Sequence, residues 1–151
     1  MCEASFNGFD GFSYHAAPDG SDNAPHVVEV ECKAFNNGNQ NSYESNNAST
    51  AHDGTNIVRL NCVYSSSHGG NVADVHDKMV SYNIGCKSAS VLNLGDNYRQ
   101  YQANYFCASG ALMYLIGCES YASFYDLSSW NNGIIYLSLI HISEPTRRVV
   151  I

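Results

Sequence analysis

Apolar and polar residues alternate in four short stretches of this chain, and each stretch runs into a cysteine. They are Val28-Glu29-Val30-Glu31-Cys32, Val58-Arg59-Leu60-Asn61-Cys62, Tyr82-Asn83-Ile84-Gly85-Cys86 and Tyr114-Leu115-Ile116-Gly117-Cys118. A large apolar residue stands four and two places before every one of these cysteines, which is the period of a strand with one buried face. The alternation predicts that Val28, Val30, Val58, Leu60, Tyr82, Ile84, Tyr114 and Ile116 turn inward. Successive cysteines are 30, 24 and 32 residues apart. Strand units repeating at this length, with polar turns between them, are what a coiled stack of parallel strands requires.

Counting back from each cysteine aligns a second strand: Ser49-Thr50-Ala51-His52, Ala73-Asp74-Val75-His76 and Tyr105-Phe106-Cys107-Ala108, with Phe12-Ser13-Tyr14-His15 in the first unit. Phe12, Ser49, Ala73 and Tyr105, with Tyr14, Ala51, Val75 and Cys107, are small or apolar and are expected inside. A slip of one residue would bury histidines instead. The outward set is then Ser13, Thr50, Asp74 and Phe106 in one column and His15, His52, His76 and Ala108 in the next. Asn47 and Asn71 precede this strand at equivalent places and are expected to stack in the turn. Free cysteine packs as a small hydrophobe, so the repeated cysteines read as a buried thiol column. There is no CxxC pair, and the spacing sets the thiols above one another and not around a metal.

The last residues change the picture. Residues 137–147 read as the conceptual translation, in a single frame, of an adapter used in transposase-based DNA sequencing libraries; 148–150 fit a sample barcode. Residues 137–151 are therefore expected to be artefactual, and 1–136 to be the authentic material. At the other end Cys2-Glu3-Ala4-Ser5-Phe6 parallels Cys118-Glu119-Ser120-Tyr121-Ala122, with Asp10 and Asp126 eight residues after the respective cysteines. Cys2 then sits where a strand has just finished, and 1–136 reads as an internal fragment of a longer repeat protein, truncated at both ends.

Charge narrows the partners. The chain carries 14 acidic residues against 7 lysines and arginines, a formal net charge of −7. Leaving out Glu144, Arg147 and Arg148 gives 13 against 5, or −8. So acidic a surface argues against nucleic acid or an anionic membrane. No apolar run approaches the roughly 18 residues of a transmembrane helix, so membrane insertion is not expected.

Units of this length, the asparagine-rich turns and the stacked core positions together resemble the right-handed, single-stranded parallel β-helix of the pectin-lyase-like superfamily. Phrases such as Asp10-Gly11-Phe12-Ser13-Tyr14-His15 and Asn47-Ala48-Ser49-Thr50-Ala51-His52-Asp53-Gly54 are similar to bacterial and prophage proteins of the tail-spike or polysaccharide-depolymerase type. The resemblance covers nearly all of 1–136. It implies an all-β fold of about five rungs, an extracellular or virion or cell-surface location, and a polysaccharide or cell-surface glycan as partner. A homotrimer is the assembly it brings to mind. Fold alone does not fix function.

One constellation bears chemistry. His15, His52 and His76 fall in register on an outer face, with Asp74 two residues before His76, and with Asp53 and Asp77 directly after His52 and His76. His52, Asp74 and His76 are the expected acid–base group, because a carboxylate near a histidine raises its basicity. In a lyase such a base would take the proton alpha to a uronate carboxylate. A hydrolase would need two carboxylates at defined separation, for which Asp74 with Asp53 or Asp77 is the supply. His15, Thr50, Asp53, Asp77, Tyr98, Tyr101 and Phe106 are the expected sugar contacts. The insertions at 16–26, 39–46 and 92–102 would wall the strip. No cofactor is expected. A metal held by His52, Asp53, Asp74 and His76 suits by ligand type, but the spacing is generic.

Departures from enzyme patterns count against catalysis. The polygalacturonase-like pattern of Asn-Thr-Asp, paired Asp-Asp and Gly-His-Gly is met only by Ser67-His68-Gly69-Gly70, and the sequence has no Asp-Asp. Arg59, the arginine nearest the relevant strands, belongs to another face. The alternative is a non-catalytic structural or adhesive spike shaft, with the histidine strip inert or covered by a partner chain.

Overall fold

A computed structural model describes residues 1–7, 10–14, 26–35, 37, 49–51, 56–66, 73–75, 78–90, 104–122, 127–138 and 141–142. Of Thr50 and Asp74 it describes the backbone alone. Within these residues the chain is all strand and turn, without helix. After β1 (Glu3–Ser5) the strands come in threes. They are β2 (Phe12–Tyr14), β3 (Val27–Val30) and β4 (Lys33–Phe35); then β5 (Ser49–Ala51), β6 (Ile57–Leu60) and β7 (Val63–Ser66). Next are β8 (Ala73–Val75), β9 (Val80–Ile84) and β10 (Lys87–Ser90), followed by β11 (Tyr105–Ala108), β12 (Leu112–Ile116) and β13 (Glu119–Ala122). Last are β14 (Leu127–Trp130), β15 (Ile134–Ser138) and β16 (His141–Ile142).

Each strand pairs in parallel with the third strand along. Three sheets result: A, in the order β1-β4-β7-β10-β13-β16; B, β14-β11-β8-β5-β2; and C, β15-β12-β9-β6-β3. The chain thus visits B, C and A in turn and repeats, an arrangement compatible with a β-helix. Core residues come from all three sheets, including Ala73, Val75 and Tyr105 from B, Met113 and Leu115 from C, and Ala34 and Tyr64 from A. Within sheet B the inward set is as the alternation predicts: Ser49, Ala51, Ala73, Val75, Tyr105 and Cys107 are all buried.

A single residue turns the chain from sheet C to sheet A. Glu31, Asn61, Gly85 and Gly117 occupy this corner with φ of 50°, 51°, 63° and 60°, the left-handed region. Cys32, Cys62, Cys86 and Cys118 follow, all buried and all free thiols. The cysteine column is thus present, and the thiols of Cys62, Cys86 and Cys118 reach into the preceding circuit. Cys62 donates to the Glu29 carbonyl at 3.6 Å, Cys86 to that of Arg59 at 3.3 Å and Cys118 to that of Asn83 at 3.1 Å. The backbone carries the same ladder back to the start, since Lys33 N–H donates to the Cys2 carbonyl as Val63 does to Cys32 and Lys87 to Cys62. The backbone of Cys2 therefore continues the cysteine ladder by one step, in line with its sequence parallel.

That corner also overturns one expectation. Val28 and Val30 face outward, 62 % and 45 % exposed, while Glu29 between them is buried. The same inversion holds in β6, where Arg59 is buried, and in β9, where Ser81 and Asn83 are. Strict alternation from an inward cysteine puts the residues two and four places earlier inside. A left-handed residue at the intervening position breaks the period of two, so the inward positions lie three and five places before the cysteine. The outer face of sheet C is therefore apolar, and in β3, β6 and β9 the polar Glu29, Arg59, Ser81 and Asn83 line the interior beside Ile57, while β12 turns Met113 and Leu115 inward.

Asparagine stacking is found, but at other residues than Asn47 and Asn71, which lie outside the described residues. Asn37 is buried five residues after Cys32, as Asn7 stands five after Cys2. Its side-chain oxygen accepts from Asn7 N–H at 3.1 Å and from Asn7 Nδ2 at 3.0 Å, while its Nδ2 donates to the Ala4 carbonyl at 2.9 Å. The amide thus satisfies backbone groups where sheet A ends.

Candidate functional site

Of the predicted strip, the backbone of Thr50 and Asp74 is described, and it lies on sheet B. Hydrogen-bonded register aligns Ser13 with Thr50, Thr50 with Asp74, Asp74 with Phe106 and Phe106 with Ser128. The same register aligns Tyr14, Ala51 and Val75, the residues immediately before His15, His52 and His76. His15, His52, Asp53, His76, Asp77, Tyr98 and Tyr101 themselves lie outside the described residues. The backbone thus brings Thr50 and Asp74 to neighbouring strands in one column. Phe106 differs from expectation. It is 3 % exposed and packs with Ala108 in a cluster separate from the main core. The outer face of sheet B is covered at β11, so this ring has no open face to offer a sugar.

Inside the molecule is a polar assembly that the strand pattern alone did not bring forward. Glu29, Arg59 and Asn83 are successive register partners on the inner face of sheet C. Arg59 is fully buried, and its guanidinium spends its donors within the core. Nε donates to Ser49 Oγ at 2.8 Å, one terminal nitrogen to Ser81 Oγ at 3.0 Å and Asn83 Oδ1 at 3.3 Å, and the other to the Ser49 carbonyl at 3.1 Å. Ser49 Oγ in turn donates to Glu29 Oε1 at 2.8 Å, and Tyr64 Oη donates to Glu29 Oε2. Asn83 Nδ2 donates to Ser81 Oγ at 2.9 Å.

This assembly joins all three sheets, since Ser49 comes from B, Tyr64 from A and the rest from C. An acidic and a basic side chain share it, and each Glu29 oxygen and each serine hydroxyl accepts at least one hydrogen bond. That satisfaction is what makes a buried charge tolerable. Burial pushes the Tyr64 phenol above its ordinary range, so it remains a proton donor to Glu29 at neutral pH. Burial likewise raises the Cys107 thiol to about 11. Cys86 is also raised, by hydrogen bonds to Cys118 and Cys62 and then by burial. The signal for this assembly was present in the sequence as an acidic and a basic residue at the same place before Cys32 and Cys62.

One part of the assembly has metal-binding donor types. A Glu29 carboxylate oxygen and the sulfurs of Cys32 and Cys62 lie within 4.8 Å of one another. Two thiolates with a carboxylate suit a soft or borderline cation. Both Glu29 oxygens already accept hydrogen bonds from Ser49 and Tyr64, however, so a cation there would have to displace one of them. The chemistry of the interior is that of a strut, with no exposed group to present to a substrate.

Sheet C presents a different surface. Tyr82, Tyr114 and Tyr136 stack along it with ring centroids 4.7 and 4.9 Å apart and planes within 9° and 14°. Because the rings face one another, their edges and hydroxyls face outward. Sheet A, by contrast, displays charge, with Lys87 Nζ 3.3 Å from a Glu119 carboxylate oxygen to which Tyr121 donates at 2.9 Å. Compared with protein-family models, curated proteins and solved structures, the chain matches none.

Proposed function

We propose that this chain is a stretch of right-handed, single-stranded parallel β-helix, of about five rungs by the strand count of its sheets, that holds an extended polysaccharide along the outer face of sheet B. The observation that carries the reading is the register of Ser13, Thr50 and Asp74, each two residues ahead of His15, His52 and His76. Parallel strands repeat every roughly 4.8 Å, so a strip of this kind offers the same polar groups at constant steps to a repeating ligand. His52, Asp74 and His76 are the acid–base group of the strip if it cuts the chain by elimination or hydrolysis. His15, Thr50, Asp53, Asp77, Tyr98 and Tyr101 are its contacts; Phe106, being covered, is not one of them.

The test is retention on immobilised bacterial surface polysaccharides, with product analysis for depolymerisation. His52→Ala and Asp74→Ala should each weaken retention about tenfold or more, the loss of one good polar contact. Unchanged retention and unchanged depolymerisation in both variants would remove the strip from the account. A second reading, a non-catalytic structural or adhesive shaft from a surface or phage spike, is favoured by the apolar outer face of sheet C.

A further inference from the structure

Every outward position of β3, β6, β9, β12 and β15 is apolar or tyrosine, except Ser138. Seven of these side chains are between 37 % and 62 % exposed. On areas of up to about 250 Å² per large side chain, that leaves roughly 500–600 Å² of apolar surface in water. The half-buried Val58, Leu60, Val80, Leu112 and Tyr114 add to it. Isolated apolar residues on a surface need no explanation, but a contiguous patch of this size marks an interface. The area is close to the about 800 Å² that each partner of a stable complex covers.

We propose that the outer face of sheet C pairs with the same face of a second copy of this chain, about a two-fold axis lying along β9. Three features point to a second copy. The face carries no charge on a chain of net charge −7, so two copies repel everywhere except across it. Its central column grades from small to large, Val28, Val58, Tyr82, Tyr114 and Tyr136 in register. A two-fold along the middle strand reverses the order of strands in the partner, setting the tyrosine half of one copy over the valine half of the other. Finally, one flat face packing on itself is an isologous contact and closes at two copies. Face-to-face sheets then lie about 10 Å apart, the ordinary spacing of a sandwich.

This deepens the shaft reading and does not rest on polysaccharide binding, which concerns sheet B. The experiment is the mass of the 151-residue chain in solution at micromolar concentration, by light scattering and sedimentation. The wild type should be a dimer. Tyr82→Arg, which sets like charges across the axis, should weaken the dimer at least tenfold. Since Tyr82 also stacks on Tyr114, Ile84→Lys, outside that stack, is the second variant and should do the same with the circular dichroism of strand unchanged. Val63→Lys, on the outer face of sheet A, should remain dimeric. A folded wild type that is monomeric or trimeric, or an Ile84→Lys variant that dimerises as well as the wild type, would overturn the proposal. Neither result bears on the His52 and Asp74 variants, so the two readings fail separately.

Discussion

At the scale of single residues, the weight of the molecule falls on Arg59 and Glu29. A guanidinium without exposure donates hydrogen bonds to the hydroxyls of Ser49 and Ser81, the amide oxygen of Asn83 and the Ser49 carbonyl. Removing one member of such a group leaves the others desolvated and unpartnered. Arg59→Leu should therefore lower the free energy of unfolding by about 3–5 kcal/mol. The double variant Glu29→Met with Arg59→Leu should cost less than Arg59→Leu alone, because no lone charge stays buried. Urea denaturation of the three proteins checks this, and a loss in the double variant as large as or larger than that of Arg59→Leu alone would contradict the pairing. Nothing in a hydrophobicity pattern announces this assembly. Glu29 and Arg59 read as solvent-facing polar residues between apolar ones, and only their place relative to the cysteines, compared between repeats, reveals that they share a column.

At the scale of elements, the corners decide which face of a strand is inside. The repeat of cysteine after alternating strands made the strands of sheet C legible, down to their register. The side-chain parity was not legible, because the left-handed turn at Glu31, Asn61, Gly85 and Gly117 shifts it by one and a pattern read through the corner does not register the shift. In sheet B no such residue lies between the compared positions, and Ala73, Val75, Tyr105 and Cys107 face inward as the alternation requires. Two glycines separate the contributions of backbone conformation and space. A Cβ at Gly117 would meet nothing within 4 Å, so Gly117→Ala incurs only the strain of its φ of 60°, about 1 kcal/mol. A Cβ at Gly133 would collide with the carbonyl of Cys107 on the neighbouring circuit, where backbone has to move. Gly133→Ala should cost about 3 kcal/mol, as overpacking does. Thermal unfolding of the two variants gives the comparison, and a larger loss at Gly117 would contradict the close approach of β11 and the turn before β15.

At the scale of the whole molecule, three parallel sheets enclose one core and present three unlike outer faces. Sheet A is charged, sheet C apolar, and sheet B carries the column of Ser13, Thr50 and Asp74. The division of labour proposed here follows from that asymmetry: a sheet for copies of the chain and a sheet for an extended ligand. The repeat and the cysteines carried the fold in the sequence, since stacking demands like residues at like places. Of the proposed histidine strip, the structure describes only the backbone register of Ser13, Thr50 and Asp74. Stacking of the circuits requires the cysteine side of each corner to point into the core. Reaction of the native chain with a polar thiol reagent, read residue by residue by mass spectrometry, tests it most directly. Of the six cysteines, Cys2 alone is exposed. It should be labelled at the rate of a free peptide thiol, while Cys32, Cys62, Cys86, Cys107 and Cys118 wait for unfolding and then react together. Labelling of Cys62, Cys86 and Cys118 in the folded protein as fast as Cys2 would contradict the stacked thiol interior and everything built on it.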